Sequence, residues 1–273
     1  MRNTLLTFTF LFGINFTLPT LKACSVLYYI DAKTGKIYVA NNEDIWYDVN
    51  PYIQILPATK SKYARLWYGW DNFAQGGINQ AGLFFDGAVT PLQTRPAGYQ
   101  EPDGNLGDEI LANCKTVDEA IAYLEKEKIA LTNAHMMFGD SAGNAVVVEW
   151  VEGERKLEYI KDNKLVMTNF LLSDTTKGNY PCYRHRAITN NIDSLERKNE
   201  ALTFLEVANT LGSAVQIPKI YDEGRKAGTL YSTFIDITEM EFVLIYKIDN
   251  SKVTKIDLNK EFASGKKRKL KLE

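Results

Sequence analysis

Histidine and cysteine are both scarce in this sequence, which holds two histidines and three cysteines among 273 residues. Zinc sites are built mainly from these residue types, often with a C-x-x-C pair, and no such pair occurs here. The shortage argues against a zinc site, and we predict no metal and no cofactor. Three is also an odd number, so Cys24, Cys114 and Cys182 leave at least one thiol unpaired within the chain.

An excess of either charge is also missing, since the formal net charge is −2. Without a dominant basic stripe the sequence does not predict a nucleic-acid surface. The one basic run, residues 266–271, is typical of a solvated tail, and we expect charge-rich coil at this end of the chain. Hydrophobic residues make up 45% of the sequence, which is enough for a sizeable globular core.

Long apolar runs are absent after residue 23, where no uncharged segment approaches the roughly 20 residues of a membrane-spanning helix. Residues 1–23 differ, because Arg2 is followed by a mostly apolar stretch over residues 5–18. This is the layout of a secretory signal peptide. We therefore expect signal peptidase to remove residues 1–23 and leave residues 24–273 as one secreted or periplasmic domain that begins at Cys24.

A β-hairpin is predicted at the start of this domain. Two strand-like runs, residues 25–30 and 36–40, flank a segment of turn-forming residues. Counting outward from the centre of that turn places Cys24 opposite Asn42 or Glu43, give or take two residues. The polar residues that follow the second run are therefore expected beside Cys24.

The rest of the chain is predicted to form further hairpins with a few inserted helices. Residues 116–119 have the pattern of a capping box that begins a helix reaching residue 128, and residues 194–211 keep helical spacing. Because strands follow one another without a βαβ alternation, we predict an antiparallel α+β sandwich. The later predicted strands cover residues 134–138, 145–150, 156–160, 165–167, 230–237 and 241–248.

Removal of residues 1–23 would give Cys24 both a thiol and a free α-amine. The pKa of an α-amine is about 7.7–8.0, so much of it can be neutral near pH 7 and can act as a general base. A thiol is a capable nucleophile that is easily activated. One residue would then supply both nucleophile and base, and the chemistry would need no histidine.

A second interpretation of the same segment remains open. Residues 21–24, Leu-Lys-Ala-Cys, resemble a lipobox, in which Cys24 would carry lipid and anchor a binding protein without chemistry of its own. Lys22 fits that pattern poorly, because small residues are usual there. Mass spectrometry of the mature N-terminus would separate a free Cys24 from a lipidated one.

Several short motifs follow Cys24 in a consistent order along the chain. They are Asn-Asn-Glu-Asp at residues 41–44, Asn-Gln-Ala-Gly-Leu at 79–83, Phe-Gly-Asp at 138–140, Val-Val-Val-Glu at 146–149, Thr-Asn at 168–169, Asn-Thr-Leu-Gly-Ser at 209–213 and Thr-Leu-Tyr-Ser at 229–232. Together they resemble the family of choloylglycine hydrolases, penicillin V acylases and N-acylethanolamine amidases. The resemblance implies a four-layer αββα fold of the N-terminal-nucleophile hydrolases, with two antiparallel sheets flanked by helices.

The same resemblance implies roles for three residues. Cys24 matches the nucleophile, which forms an acyl thioester. Asp44 matches an aspartate that hydrogen-bonds the N-terminal amine, in agreement with the hairpin count. Asn169 matches an asparagine that helps to position the amine and the intermediate.

Two departures from the family pattern concern the substrate side of the site. Asn41 stands where the family usually has arginine, which weakens an assignment to bile salts or penicillins. The asparagine that commonly supplies the oxyanion hole is missing near Val89 or Thr90, and Asn79 or a backbone N–H is the expected substitute. A further family arginine corresponds to Arg184 or Arg186, and the sequence does not choose between them.

The sequence therefore predicts a thiol-dependent hydrolase of linear amide bonds in N-acyl amides. Acyl transfer to an amine on the same fold is the alternative reaction, and a lipid-anchored binding protein is the alternative class. The expected partner is a small-molecule N-acyl amide rather than a nucleic acid. The sequence does not define the oligomeric state, and a homo-oligomer is compatible with it.

Overall fold

The computed structural model describes residues 24–221 and 224–273. The predicted signal peptide, residues 1–23, lies outside the described residues. The strands of the described chain form two antiparallel sheets. None of the described helices is long and apolar enough to cross a membrane.

The first sheet, sheet A, contains seven strands of the described chain. These are β1 (Ser25–Ile30), β2 (Ile37–Trp46), β10 (Lys164–Met167), β11 (Lys219–Ile220), β12 (Lys226–Asp236), β13 (Glu241–Tyr246) and β14 (Val253–Asp257). Their order is β10-β1-β2-β12-β13-β14, with β11 paired to β12. The predicted hairpin of β1 and β2 is confirmed and lies inside this sheet, where β2 also pairs with β12.

The second sheet, sheet B, contains eight strands of the described chain. These are β3 (Tyr52–Leu56), β4 (Arg65–Trp70), β5 (Phe73–Asn79), β6 (Phe84–Val89), β7 (Ala134–Gly139), β8 (Ala145–Val151), β9 (Glu154–Tyr159) and β15 (Arg268–Lys271). Their order is β15-β3-β4-β5-β6-β7-β8-β9. Seven of the eight follow one another in the chain, so the sheet is a meander to which the last strand is added.

Five described helices cover the outer faces or connect strands. They are α1 (Leu106–Asn113), α2 (Val117–Lys126), α3 (Tyr183–Glu196), α4 (Phe204–Asn209) and α5 (Leu258–Ala263), and a 3₁₀ turn follows α4 at Thr210–Ala214. Helix α1 is an element that the sequence analysis did not predict. Its N-cap is Asn105, whose side chain accepts from the backbone N–H of Asp108.

Three apolar clusters define the layers. Tyr28 and Val39 of sheet A pack between the sheets against Leu66 and Phe84 of sheet B, among other residues. A second cluster joins helices α1 and α2 to the outer face of sheet B, and a third joins α3 and α4 to the outer face of sheet A. The order helix, sheet, sheet, helix confirms the predicted four-layer αββα sandwich.

Strand β1 shows why its sequence is apolar without interruption. Side chains alternate between the two faces of a strand. Val26 and Tyr28 belong to the core between the sheets, whereas Leu27 and Tyr29 belong to the core beneath α3 and α4. Because both faces are buried, both sets of positions are apolar.

The prediction of one helix over residues 194–211 is wrong. Helix α3 ends at Glu196, Asn199 adopts a positive φ of 59°, and α4 begins after its N-cap, Thr203. Thr203 and Glu206 form a complete capping box. Apolar residues in two successive helices kept a spacing that resembled one helix, and the pattern could not show the left-handed residue between them.

The predicted capping box at residues 116–119 is only half formed. The Thr116 hydroxyl accepts from the N–H of Glu119 at 3.2 Å, but the Glu119 carboxylate accepts from the N–H of Lys115 at 2.8 Å. Helix α2 ends at Lys126 rather than at residue 128, because Lys128 has a positive φ of 51°.

The prediction of a charge-rich coil after residue 248 is also wrong. Strand β14, helix α5 and strand β15 occupy this end, and β15 pairs with β3 so that Leu270 lies opposite Ile53. The basic run therefore forms the edge of sheet B. Lysines on an edge strand discourage pairing with another chain, which accounts for charge at a place where the backbone is ordered.

We expect Gly107→Ala to destabilise the fold, because α1 packs closely on β6. An added Cβ at Gly107 would lie 2.1 Å from the ring of the buried Phe85. Overpacking of this kind costs about 1–3 kcal/mol. The control is Gly212→Ala, where an added Cβ meets nothing within 4 Å. Urea unfolding should show the loss in the first variant alone, and equal stabilities would contradict the close approach.

Candidate active site

The β1–β2 hairpin places Cys24 beside Glu43. Ser25 pairs with Asn42, so the preceding residue, Cys24, faces Glu43 across the two strands. The thiol of Cys24 donates to Glu43 Oε1 at an Sγ–Oε1 distance of 3.2 Å. The predicted register is thus confirmed. Glu43 was not among the predicted site residues, although the alternation of strand side chains puts it on the same face as the thiol.

Arg184, at the start of α3, connects the predicted residues to one another. Its Nη1 donates to the carbonyl oxygen of Cys24 at 2.5 Å and to the hydroxyl of Ser25 at 2.9 Å. Its Nη2 donates to Asn169 Oδ1 at 2.9 Å, and Nη1 lies 4.0 Å from Asp44 Oδ2. One guanidinium therefore contacts the main chain of Cys24 and the side chains of Asn169 and Asp44.

The structure chooses between the two arginines that the sequence left open. Arg184 is buried with 4% of its surface exposed, whereas Arg186 is exposed. The two residues are two positions apart on α3, so they lie on different sides of the helix. Only Arg184 faces sheet A.

Asp44 lies on the helix-facing side of β2. Its Oδ1 accepts from the Thr229 hydroxyl at 2.5 Å. Burial raises the pKa of the Asp44 carboxyl to about 7, although the Thr229 hydrogen bond and the Arg184 charge lower it. A buried carboxyl that can ionise near neutral pH is suited to pairing with a cation.

Asn169 follows β10 of sheet A, and its side chain contacts β6 of sheet B. Its Oδ1 accepts from Arg184, and its Nδ2 donates to the carbonyl oxygen of Val89 at 2.8 Å. Val89 ends β6, where the family's oxyanion asparagine was expected and is missing. The amide of Asn169 and the end of β6 are therefore in contact at this point.

Asn79 is a structural residue rather than the oxyanion donor that the sequence suggested. Its Nδ2 donates to the carbonyl oxygens of Leu111 and Cys114 at 2.8 and 2.7 Å. Its Oδ1 accepts from the N–H groups of Ala81 and Leu83. These bonds hold the β5–β6 turn against the end of α1, and Asn79 does not line the cavity beside Cys24.

Asn41 belongs to a buried acidic cluster, defined here as Glu43 and Asp86 with Tyr68 and Asn41. Burial and the negative charge of Glu43 raise the pKa of Asp86, whereas hydrogen bonds from Tyr68 and the Gly87 backbone and the nearby Asn41 amide lower it. The Tyr68 hydroxyl donates to Asp86 Oδ2 at 2.7 Å. The position that carries arginine in the family therefore contributes a neutral amide beside a carboxyl.

Burial raises the pKa of the Cys24 thiol well above its ordinary value, and the charges of Glu43, Asp44 and Asp86 raise it further. Each of these negative charges disfavours a thiolate. The thiol of Cys24 is therefore protonated in this environment, and it could attack a substrate only if a base took its proton.

A cavity of about 210 Å³ opens on the inner side of Cys24. Its wall is mostly apolar and aromatic, which suits the acyl part of a ligand. Cys24 and Glu43 contribute its sulfur and carboxylate. The other side chains on its wall include Ile45, Trp70, Phe73, Phe85, Leu106, Leu131 and Met136.

His135 also lines the cavity and forms a buried ion pair with Glu149. Its Nε2 contacts the carbonyl oxygen of Thr168 at 2.7 Å and its Nδ1 contacts Glu149 Oε1 at 2.8 Å. A carbonyl only accepts, so Nε2 donates to Thr168, and Glu149 accepts further hydrogen bonds from Leu172 and Ser173.

Glu149 is accordingly an anion. Burial alone would raise the pKa of its carboxyl, but hydrogen bonds from His135 and Ser173 lower it below its ordinary value. Glu149 belongs to one of the family-like motifs in the sequence, whereas His135 was not among the predicted site residues. The sequence did contain a signal. His135 is one of the chain's two histidines, and it lies in an apolar strand fourteen residues before Glu149.

The other two cysteines do not line this cavity. Both are buried, and neither forms a disulfide. Burial raises the pKa of Cys114 to about 12. Burial also opposes ionisation of Cys182, yet hydrogen bonds to its sulfur and the Arg184 charge lower its pKa. In the part of the chain that the structure describes, no group of His, Cys, Asp and Glu could hold a metal ion.

Solved structures of low sequence identity share the fold. A variant of conjugated bile acid hydrolase from Clostridium perfringens is 18% identical, with a TM-score of 0.73 over 91% of this chain and 97% of that one. Penicillin V acylase from Agrobacterium tumefaciens is 19% identical, with a TM-score of 0.69 over 91% of each chain. No curated protein matches the sequence.

A protein-family model gives the more specific result. It is described as acyl-coenzyme A:6-aminopenicillanic acid acyl-transferase, and it matches residues 31–247. The match covers most of the chain, including Asp44, Asn169 and Arg184. This chain therefore belongs to the acyl-coenzyme A:6-aminopenicillanic acid acyl-transferase family.

Proposed function

We propose that the mature protein is a thiol-dependent hydrolase of linear amide bonds in N-acyl amides, with N-terminal Cys24 as its nucleophile. The observation that carries the proposal is the convergence on Arg184 of Cys24, Asp44 and Asn169. The family membership and the names of the two structural neighbours support amide chemistry at this site.

In the proposed first step the neutral α-amine of Cys24 takes the thiol proton while sulfur attacks the amide carbon. The S–C bond forms, the carbonyl becomes an oxyanion, and the amine becomes an ammonium. The ammonium then returns the proton to the leaving nitrogen as the C–N bond breaks. An acyl thioester on Cys24 remains, and water activated by the same amine hydrolyses it.

The residues around Cys24 could stabilise the ammonium and the oxyanion that form in this mechanism. Asp44 would pair with the α-ammonium. This ion pair would stabilise the protonated base and lower the pKa of the Asp44 carboxyl. The Nδ2 group of Asn169 has a second hydrogen besides the one directed at Val89. We assign that hydrogen to the oxyanion, where one such donor contributes about 2.7–4 kcal/mol.

The apolar cavity supports an acyl group with hydrophobic or aromatic character. Asn41 removes the positive charge that the family carries on the substrate side. The proposal therefore names N-acyl amides as a class and does not extend to bile salts or penicillins. Screening hydrolysis of amides with different acyl groups would identify the preferred substrate.

Export and processing by signal peptidase are part of the proposal, because the mechanism needs a free amine on Cys24. Lipidation of Cys24 is the competing fate of the same segment, and it would leave a binding protein. Mass spectrometry of the mature N-terminus separates the two. A diacylglyceryl group on Cys24 would remove the proposed nucleophile.

Acyl transfer is a second candidate reaction, and the description of the matching family favours it. The thioester on Cys24 would be the same, but an amine would accept the acyl group in place of water. Product analysis with a nucleophilic amine present distinguishes the two reactions. Free acid as the sole acyl product supports hydrolysis, and a new amide supports transfer.

We expect Cys24→Ala to abolish turnover and thiol labelling at this residue, because it removes the nucleophile. Cys114→Ala and Cys182→Ala are matched controls, since neither residue lines the cavity, and they should keep most activity. The measurement is amide hydrolysis by folded, processed protein. Wild-type rates in Cys24→Ala would remove the catalytic assignment.

Extending the mature chain by one residue before Cys24 should abolish activity. The added peptide bond converts the basic α-amine into an amide nitrogen, which cannot take the thiol proton. Protein that retains residues 1–23 should be inactive for the same reason. Comparing kcat of the extended and processed proteins checks this, and full activity of either blocked form would refute an N-terminal base.

We expect Asp44→Asn to reduce kcat at least about tenfold, because general-base steps contribute 10²–10⁴-fold and the variant loses the charge that supports the base. Asn can still accept from Thr229, so circular dichroism should show an intact fold. Asp249→Asn is an acid-to-amide control at a half-buried residue between β13 and β14, where the side chain accepts from Ser251. A folded Asp44→Asn enzyme with unchanged kcat would show that Asp44 has no role in the reaction.

A further inference from the structure

Glu43 is the residue whose side chain contacts the Cys24 sulfur most directly. Both side chains are buried, at 3% and 4% exposure, and both line the cavity. The thiol donates to Glu43 Oε1, which orients the S–H bond before a substrate binds. The mechanism above does not use this carboxylate.

We propose that Glu43 positions the Cys24 nucleophile, holding its sulfur at the cavity wall through the S–H hydrogen bond and keeping it in the thiol form until it attacks. This inference rests on the proposed function, in which Cys24 is the nucleophile. Glu43 itself touches no reacting carbon and is a positioning residue.

The charge of Glu43 affects where the proton of Cys24 lies before the reaction, on the sulfur or on the α-amine nitrogen. A neutral amine beside an acidic thiol would take the proton early and give a resting ammonium–thiolate pair. A carboxylate at the sulfur opposes the thiolate by like-charge repulsion. As the S–C bond forms, the S–H bond turns from Glu43 Oε1 to the α-amine nitrogen, which receives the proton.

Several other ionisable groups face this pair from the surrounding strands and helix. Their effects on the pKa of the thiol are weaker than that of Glu43, or their hydrogen bonds go to other groups. The Asp44 and Asp86 charges raise the pKa of the thiol less than the Glu43 charge does. The remaining groups are Tyr68 of β4, Tyr231 of β12, His135 of β7 and Arg184 of α3.

Two variants separate the charge of Glu43 from its hydrogen bond. Glu43→Gln removes the charge but keeps an oxygen that can accept the S–H bond. Glu43→Leu removes both and has a similar size. Asp86→Asn is the control, because it removes a nearby carboxyl that does not contact sulfur. Circular dichroism confirms that each processed variant is folded.

The experiment measures the rate of Cys24 alkylation by iodoacetamide from about pH 5 to about pH 10, read on the Cys24 peptide by mass spectrometry. At each pH below the pKa of the thiol, Glu43→Gln should be alkylated about tenfold faster than wild type, since a repelling charge is gone. Asp86→Asn should accelerate alkylation less. Equal rates in wild type and Glu43→Gln across the whole range would overturn the proposal.

Hydrolysis provides the second measurement. The kcat/KM of Glu43→Gln should exceed that of Glu43→Leu by about tenfold, because only the former still orients the thiol. Equal values in the two variants would show that the hydrogen bond does not position the sulfur. Alkylation needs no substrate, so it tests Glu43 even if the wild type hydrolyses no amide, a result that would count against the proposed function alone.

Discussion

The guanidinium of Arg184 lies buried between helix α3 and sheet A, where it donates to the Cys24 carbonyl, the Ser25 hydroxyl and Asn169. Removing one partner of a buried charge network leaves the others uncompensated and costs about 3–5 kcal/mol. The position of Cys24 therefore depends on a helix residue that lies 160 residues further along the chain. Correct docking of α3 on sheet A is a condition for the whole site.

Negative charge dominates the surroundings of Cys24. Glu43, Asp44 and Asp86 all disfavour a thiolate, and Arg184 is the cation that contacts the same residue. The same three acids would favour a positive charge on the Cys24 nitrogen. In the proposed mechanism that charge appears when the α-amine takes the thiol proton. An environment hostile to a resting thiolate is thus consistent with a base on the same residue.

The two faces of sheet A carry different residues of the site. On the inner face, Cys24 and Glu43 meet an apolar cavity bounded by sheet B. On the outer face, Asp44 lies beneath α3 and faces Arg184 of that helix. Alternation along β2 achieves this separation, because neighbouring residues of one strand point to opposite faces. Under the proposed function, residue 43 would face the sulfur of Cys24 and residue 44 its amine, without competing for space.

The sequence by itself determined the local features. A short turn between two strands sets the register of the β1–β2 hairpin, so Cys24 could be placed near Glu43 and Asp44 by counting. Motif order predicted the four layers. Only the tertiary structure decided between Arg184 and Arg186, moved Asn79 out of the site, and paired His135 with Glu149. It also joined the basic C-terminal run to sheet B as β15. These outcomes depend on contacts between distant segments, and neither periodicity nor residue type records which distant partner a side chain will meet.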